Sequence, residues 1–239
     1  MSNHQILDPV THRDLRVMVG PDPALGDGVM SCLVVPSEFR RLQNSFPILF
    51  RRDLESNLFS ALALMGFEQG ENLFFNDGRW DAPDRPLALS IQPFLIGRPI
   101  DGEGPGQVHV DMGHPRISST GEGMRLFDDH GGHSPFLEAI AGQLGELDQG
   151  YRQSPDFFAA LQFHELLEPF SLDVDLADGS SHRMVGYHLI DEDRLRALDA
   201  AALGELHAAG HLMPIFMALA SLSNLPALIA RKNRRNARV

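Results

Sequence analysis

Short apolar runs follow one another through the first 120 residues, and residues that favour turns separate them. Gly, Pro, Asn and Asp mark the breaks, as they do between neighbouring β-strands. Because no helical segment intervenes between the runs, the pattern favours antiparallel pairing and argues against a doubly wound parallel sheet. The runs cover residues 33–35, 47–50, 59–67, 73–75, 87–96 and 108–112.

The second half of the chain carries helix signals around one predicted hairpin. Ser134-Pro135 and Ser154-Pro155 each place a capping serine before a proline, which predicts two helix starts. Residues 172–176 alternate in polarity, Asp178-Gly179 favours a turn, and 184–190 forms the return strand. The two halves together predict an α+β fold, with an antiparallel β-rich N-terminal part packed with a C-terminal helical part containing one β-hairpin.

The predicted domain organisation follows from length and charge. A chain of 239 residues fits one large domain or two small ones. We predict a single domain over residues 1–230, with an internal boundary near 121–133 as the alternative, and a basic tail at 231–239. The tail has five basic residues and no acid, so the net charge of −12 becomes −17 for residues 1–230. A body this acidic argues against nucleic acid as a partner, and we expect the tail to be solvated and frayed.

Residues 211–230 carry no charged side chain and are long enough to test as a membrane span. Two prolines and several polar residues interrupt the stretch, so we expect no transmembrane span but a helix with one side on the core. Ser221 and Asn224 fall off the predicted core-facing line. That line consists of Leu212, Phe216, Leu219, Leu222 and Ile229.

Cysteine content and the N-terminal sequence indicate the cellular compartment of the protein. Cys32 is the sole cysteine, so the chain cannot form an internal disulfide or a multi-cysteine metal site. Its apolar neighbours predict a buried strand residue rather than a nucleophile. The first residues lack the basic and apolar regions of a secretory signal. We therefore expect a cytoplasmic protein, with a location peripheral to the envelope as the alternative.

His109 and Asp111 lie two residues apart in a predicted strand and so share one face. A His-x-Asp pair is the first part of the facial triad that binds iron(II) in non-haem oxygenases, so one interpretation is an iron(II) metalloenzyme. The competing interpretation, which needs no cofactor, is a polar strand face in which Asp111 supports the turn at Gly113-His114-Pro115. The third ligand is His188 in our assignment, with His114, His130, His133 and His164 as the alternatives.

His188 also has a structural interpretation. Alternation along the return strand places His188 on the outer face of the hairpin, where Asp173 and Asp175 would pair with it across the strands. The core side of that strand would then hold Val185, Tyr187 and Leu189. Beyond these histidines, the sequence contains no Gly-x-Ser-x-Gly elbow, no Ser-x-x-Lys and no phosphate-binding glycine motif, so it favours a protein that is not an enzyme.

Residues 66–80 concentrate three phenylalanines and the only tryptophan among glycines and polar residues. Aromatic residues beside adaptable polar ones make good contact surfaces, so one interpretation is a binding site for a protein partner. The other is a tight turn whose aromatic residues close the core. The predicted binding residues are Trp80, Phe74, Asn72 and Glu71.

Several segments resemble the bacterial SapC family from about residue 10 to residue 230. They are residues 46–50, the Gly-Glu-Asn-Leu-Phe stretch within 66–80, 92–94, 110–116, 123–128, 166–169 and 190–195. The family takes its name from a surface-layer locus and its function is poorly defined. The resemblance implies a non-catalytic accessory or binding protein of the envelope or surface layer. It transfers no catalytic residue, and members often carry a small or thiol residue at the position of His109.

Overall fold

The computed structural model describes residues 3–76, 78–97 and 106–238, and these fall into two compact units. Residues 3–28, 78–80, 87–97 and 106–149 form the first unit. Residues 29–76, 81–86 and 150–238 form the second. Residues 121–133, suggested above as an internal boundary, lie within the first unit. Of the segments singled out above, Asp77 and Val239 lie outside the described residues.

Strands and helices alternate irregularly along the chain. The strands are β1 (His4–Ile6), β2 (Arg16–Val17), β3 (Ser31–Val34), β4 (Ile48–Arg52), β5 (Phe59–Leu64), β6 (Phe75–Asn76), β7 (Arg79–Trp80), β8 (Phe94–Gly97), β9 (Gln107–Asp111), β10 (Met124–Arg125), β11 (Leu167–Asp175) and β12 (Ser181–Ile190). The α-helices are α1 (Phe39–Leu42), α2 (Leu87–Ser90), α3 (Pro135–Phe163), α4 (Glu192–Ala197), α5 (Ala200–Ala208), α6 (Leu212–Ser221) and α7 (Leu225–Asn236).

Both units contain antiparallel sheets. In the first unit the strand order is β1-β9-β8, and β2 pairs with β10. In the second unit the order is β11-β12-β4-β5-β3. The C-terminal hairpin joins the N-terminal strands because β12 pairs with β4, with Tyr187 opposite Arg51. The α+β fold predicted from the sequence is confirmed.

The core of the second unit is aromatic. Phe50 of β4 packs against Phe157 and Phe158 of α3, with ring centroids 6.4 and 5.5 Å apart in edge-on arrangements. Edge-on contacts of this kind stabilise aromatic pairs beyond the burial of their area. Phe39 completes the cluster at 6.0 Å from Phe157. Cys32 lies in β3 and is buried, as predicted.

One of the two predicted helix starts is confirmed and the other is wrong. Ser134 caps α3, because its hydroxyl accepts a hydrogen bond from the Leu137 amide at 3.2 Å. Pro155 does not start a helix but lies inside α3, on its exposed side. A proline within a helix removes one backbone hydrogen bond. Burial of Phe157, Phe158 and other apolar residues in the last turns of α3 offsets that loss.

The predicted alternation along β12 is also wrong. Tyr187 is buried, but Val185 is 60% exposed and Met184 takes the inward position. The pairing of β11 with β12 shifts by a residue after Phe170, and Gly186 has a φ of +81°, a backbone angle that favours glycine. Because the bulge inserts an extra residue, the side chains on one side of it point to the opposite face of the sheet from the one that strict alternation predicts.

The bulge also changes the cross-strand partners. His188 lies opposite Pro169, Asp173 opposite Arg183 and Asp175 opposite Ser181. The predicted pairing of His188 with Asp173 or Asp175 therefore does not occur.

Residues 212–230 are helical, as α6, a 3-10 turn at Leu222–Asn224 and the start of α7, but their buried side differs from the prediction. Phe216 is 52% exposed, whereas Ser221 is fully buried. The Ser221 hydroxyl donates to the Ala218 carbonyl and accepts from the Ile48 amide at 2.9 Å. The buried hydroxyl therefore has both a hydrogen-bond acceptor and a donor, the donor being the first residue of β4. Among the described residues, only the stretch Leu212–Asn236 has the length and apolar composition of a membrane span, with a mean hydropathy of 1.8 in its best window. Of that window, 22% is buried within the protein.

Candidate functional site

Three of the four predicted binding residues are buried. Glu71, Asn72 and Phe74 are 7%, 3% and 2% exposed. The Asn72 side chain accepts a hydrogen bond from the Phe74 amide at 3.0 Å, and the Phe74 ring packs on Phe46 with centroids 4.4 Å apart. Trp80 lies in β7 and is half-buried. Glu71, Asn72 and Phe74 therefore contribute to the core of the second unit. That a protein partner binds these three residues and Trp80 stays a prediction.

Glu71 is folded back against its own loop. One of its carboxylate oxygens accepts a hydrogen bond from the Phe67 amide at 2.9 Å. A Cβ on Gly66 would stand 2.7 Å from the Glu71 carbonyl oxygen and 2.9 Å from its Cγ. Only glycine leaves the room that this close approach needs. Residues 66–71 thus form one structural unit six residues long.

Lys232, the only lysine in the sequence, is the partner of Glu71. Its Nζ donates to Glu71 Oε1 at 2.8 Å and to Glu68 Oε1 at 3.1 Å, and the residue is 5% exposed. Burial lowers the pKa of Lys232, but the hydrogen bonds to Glu71 and Glu68 outweigh it and hold the pKa above its usual range. A buried lysine keeps its charge only when paired in this way.

The rest of the basic segment is docked as well. Arg231 lies over the Phe74 ring, with Cζ 4.5 Å from the centroid, and donates to Asp81 Oδ2 at 2.7 Å. Arg235 donates to the Asn72 carbonyl at 3.3 Å. The expectation of a frayed tail is wrong for residues 231–238, because α7 continues through Asn236, and Arg231, Lys232 and Arg235 have fixed partners.

The sequence contained a signal for this docking that we missed. Lys232 lies four residues after the buried Leu228, which places both on the inner side of α7. A lysine at helical spacing from a buried apolar residue lies on the same side of the helix, so it predicts a buried ion pair rather than a solvent-exposed lysine.

The residues of the proposed iron(II) site have other partners in the structure. Asp111 Oδ1 accepts hydrogen bonds from the Asn3 and Gly113 amides at 3.0 Å each, which lower the pKa of Asp111. The bond from Gly113 is the turn support described above as the competing interpretation. The His109 ring packs against Gly97, where a Cβ would stand 2.0 Å from Nε2.

His188, the third assigned ligand, lies in the second unit and packs edge-on against Phe59 with centroids 5.0 Å apart. Burial, and then the charge of Arg52, lowers the pKa of His188. Within residues 3–76, 78–97 and 106–238, no three His, Cys, Asp or Glu side chains form a group that could hold a metal ion.

A buried ion pair organises the first unit. Arg116 and Asp27 are 2% and 0% exposed and meet at 2.8 Å. Arg116 also donates to the Gly20 carbonyl at 2.9 Å, so it fixes the loop before β3. The adjoining His114 accepts from the Arg116 amide, and its other nitrogen lies 3.2 Å from Gln92 Oε1. Burial, and then the Arg116 charge, lowers the pKa of His114. These contacts support the backbone rather than an open site.

A cleft of about 480 Å³ in the second unit is the best candidate for a functional site. Arg40 of α1 and the preceding Ser37 line it, as does Asp156 of α3. The lining mixes apolar side chains with polar ones. The lining residues are Pro36, Ser37, Arg40, Gln153, Asp156, Phe157, Ala209, Gly210, His211, Met213, Pro214 and Met217.

Local sequence explains how one wall forms. Gly210 ends α5 with a φ of +75°, which reverses the chain before α6 begins. The turn brings His211 over Phe157, with ring centroids 5.7 Å apart. Burial lowers the pKa of His211, while the charge of Asp156 opposes this shift. His211 is therefore a neutral, half-buried wall of the cleft near pH 7.

The charges at the rim of the cleft are unpaired. Arg40 and Asp156 are both exposed, and neither makes an ion pair with any residue that the structure describes. A cleft that combines apolar side chains with a guanidinium and a carboxylate can bind a ligand that has an apolar body and both signs of charge. Neither residue could be identified from sequence, because they lie more than 100 positions apart and carry no motif.

Comparison with known proteins places the chain in a family. The model of the SapC family matches residues 7–228 of the 239-residue chain. No curated protein and no solved structure gave a significant match. Since the matched region covers nearly the whole chain, including every residue that lines the cleft, the protein belongs to the SapC family.

Proposed function

We propose that this chain is a non-catalytic binding protein that holds a segment of a protein partner in the cleft. The observation that carries the proposal is a cleft in which apolar side chains adjoin the unpaired Arg40 and Asp156. A site of this composition gains energy from apolar burial, and its charges select the partner and its direction.

The cleft defines the chemistry of the segment. An apolar side chain fills the space above Phe157 and Met217, an acidic group of the segment faces Arg40, and a basic group faces Asp156. At longer range the net charge of −12 favours a partner that is basic overall, because attraction between the two surfaces speeds their encounter.

We further propose that the protein works in the cytoplasm, peripheral to the bacterial envelope, as an accessory of an envelope or surface-layer system. Membership of the SapC family supports this connection through the surface-layer locus from which the family is named. Fractionation of cells tests it. We expect part of the chain to sediment with the envelope and to be released by Arg40→Glu, and a wholly soluble distribution would contradict it.

The binding proposal is tested by capture from solubilised envelope proteins. The immobilised parent chain is compared with Arg40→Glu and Asp156→Lys, which reverse one rim charge each. Arg183→Glu is the matched control, because Arg183 is 72% exposed and lies on the hairpin, outside the cleft. We expect at least one protein to be retained by the parent and the control, and to fall at least tenfold with both cleft variants. Equal recovery by all four chains would overturn the proposal.

A further inference from the structure

The solvent-facing side of residues 212–227 carries no charged residue. Met213 and Phe216 are 54% and 52% exposed, and Ala220, Ser223 and Ala227 are exposed on the same side. We name these five residues the outer face. No charged residue occurs from 212 to 230, whereas a helix side that meets water ordinarily carries charges.

The outer face has the spacing of a helix–helix contact. Its residues recur at intervals of three and four, as the core positions of a coiled coil do. The opposite side of the same stretch is already used within the second unit, where Ile215, Ala218 and Leu228 are buried. The outer face is thus a second contact side on α6, α7 and the 3-10 turn that joins them, and it extends over roughly 21 Å at about 1.5 Å per residue.

The order of side chains along the outer face suits a second copy of the chain in antiparallel orientation. With Ala220 on a twofold axis, Met213 of one copy lies opposite Ala227 of the other, and Phe216 lies opposite Asn224 and beside Ser223. Each large side chain therefore meets a smaller one. An isologous contact requires such self-complementarity, and interdigitation of large and small residues gives dense packing.

Charge supports the same orientation. Arg234 follows the outer face at the C-terminal end of the stretch and makes no ion pair within the described part of the chain. The unpaired Asp156 lies at the other end, beside Met213 in the cleft. Antiparallel pairing brings the arginine end of one copy to the aspartate end of the other, twice. Parallel pairing would place the two arginine ends together, which is unfavourable.

We infer that the outer face binds a second copy of this chain as an antiparallel, twofold-symmetric helix pair. An anionic membrane surface is the other occupant that an apolar face with a basic end can take. The charge of −17 on residues 1–230 opposes that alternative.

Sedimentation equilibrium of the full chain over a range of concentrations tests the pairing. We expect a reversible dimer in the parent and a monomer in Ala220→Arg, which places two cations at the axis. Ala139→Arg is the matched control, since Ala139 is an exposed alanine of α3, and it should leave the dimer intact. A parent that is monomeric at every concentration, or a dimer that survives Ala220→Arg, would overturn the inference. Arg40→Glu should not affect the dimer, so its result separates this inference from the proposed function.

Cysteine cross-linking tests the orientation. Met213→Cys and Ala227→Cys chains are mixed and oxidised, with the native Cys32 buried in both. Antiparallel pairing gives the mixed disulfide between the two variants, whereas a parallel pair gives disulfides within each variant. Vesicles of anionic lipid provide the last comparison. Binding of a monomeric parent to them, abolished by Phe216→Glu, would assign the outer face to a membrane and overturn the inference.

Discussion

Lys232 Nζ lies 2.8 Å from Glu71 Oε1, across 161 residues of sequence, and both side chains are less than 10% exposed. The contact joins the last helix to the Gly66–Glu71 loop. Removal of one member of a buried ion pair leaves the other charged and desolvated, which costs far more than the pair contributes when intact.

Lys232→Met should therefore destabilise the second unit by about 3–5 kcal/mol, the range observed when one partner of a buried pair is removed. Urea denaturation measures the change. The double variant Lys232→Met with Glu71→Gln should recover a large part of the loss, because no uncompensated charge remains. A double variant no more stable than the single one would show that packing, not charge, determines the effect.

Deletion of residues 231–239 should lower the midpoint of thermal unfolding by more than 5 °C. The deletion removes the Lys232 pair and the Arg231 contacts to Phe74 and Asp81, and about 1 kcal/mol corresponds to roughly 2–4 °C for a protein of this size. Arg234→Ala is the control, since this exposed side chain has no ion pair in the described residues, and it should change stability by less than about 0.5 kcal/mol. A midpoint unchanged by the deletion would contradict the docked position of α7.

Asp178 should remain ionised at unusually low pH. The Ser180 hydroxyl and amide donate to Oδ1 at 2.6 and 2.9 Å, and Asn236 of α7 donates to Oδ2 at 2.7 Å; these bonds lower the pKa of Asp178 from 3.8 to about 2. Because the folded pKa is the lower one, the stabilisation is present above pH 3.8 and is lost as the pH falls through 2. NMR titration of the carboxyl carbon measures the pKa. Ser180→Ala should raise it, and an unchanged value would contradict the assignment of the hydroxyl as its main cause.

Ser221→Ala should destabilise the protein by about 1–3 kcal/mol, the cost of leaving a buried donor unsatisfied. The donor is the amide of Ile48, which is 1% exposed and bonds to the Ser221 hydroxyl at 2.9 Å. Ser223→Ala, two residues away and exposed, is the control and should be nearly neutral. Equal stability of the two variants would rule out the role of Ser221 in fixing β4.

The fold class could be predicted because apolar runs, turn residues and helix caps are local signals. Ser134 shows this, since one serine before a proline identified the start of α3. The errors arose where tertiary contacts overrode local ones. Pro155 has the same local signal as Pro135, but α3 continues through it, and Phe157 and Phe158 after it are buried in the core of the second unit.

The same reasoning explains the errors in the predicted sites. Glu71 and Asn72 have the composition of a contact surface, and nothing local indicates that α7 covers them. The face of α6 was misassigned because Ser221 is polar but satisfied by a strand 173 residues away. Arg40 and Asp156 share a cleft only because α1 and α3 meet in three dimensions.

The position of β4 in the sheet has a consequence for synthesis on the ribosome. Arg51 pairs with Tyr187, so one edge of β4 has no strand partner until 136 further residues have been translated. At about 5–20 residues per second this takes roughly 7–27 s. During that interval the nascent chain exposes an unpaired edge next to the apolar Leu49 and Phe50. An unpaired strand edge is a template for aggregation, so the nascent chain is open to it until β12 covers β4.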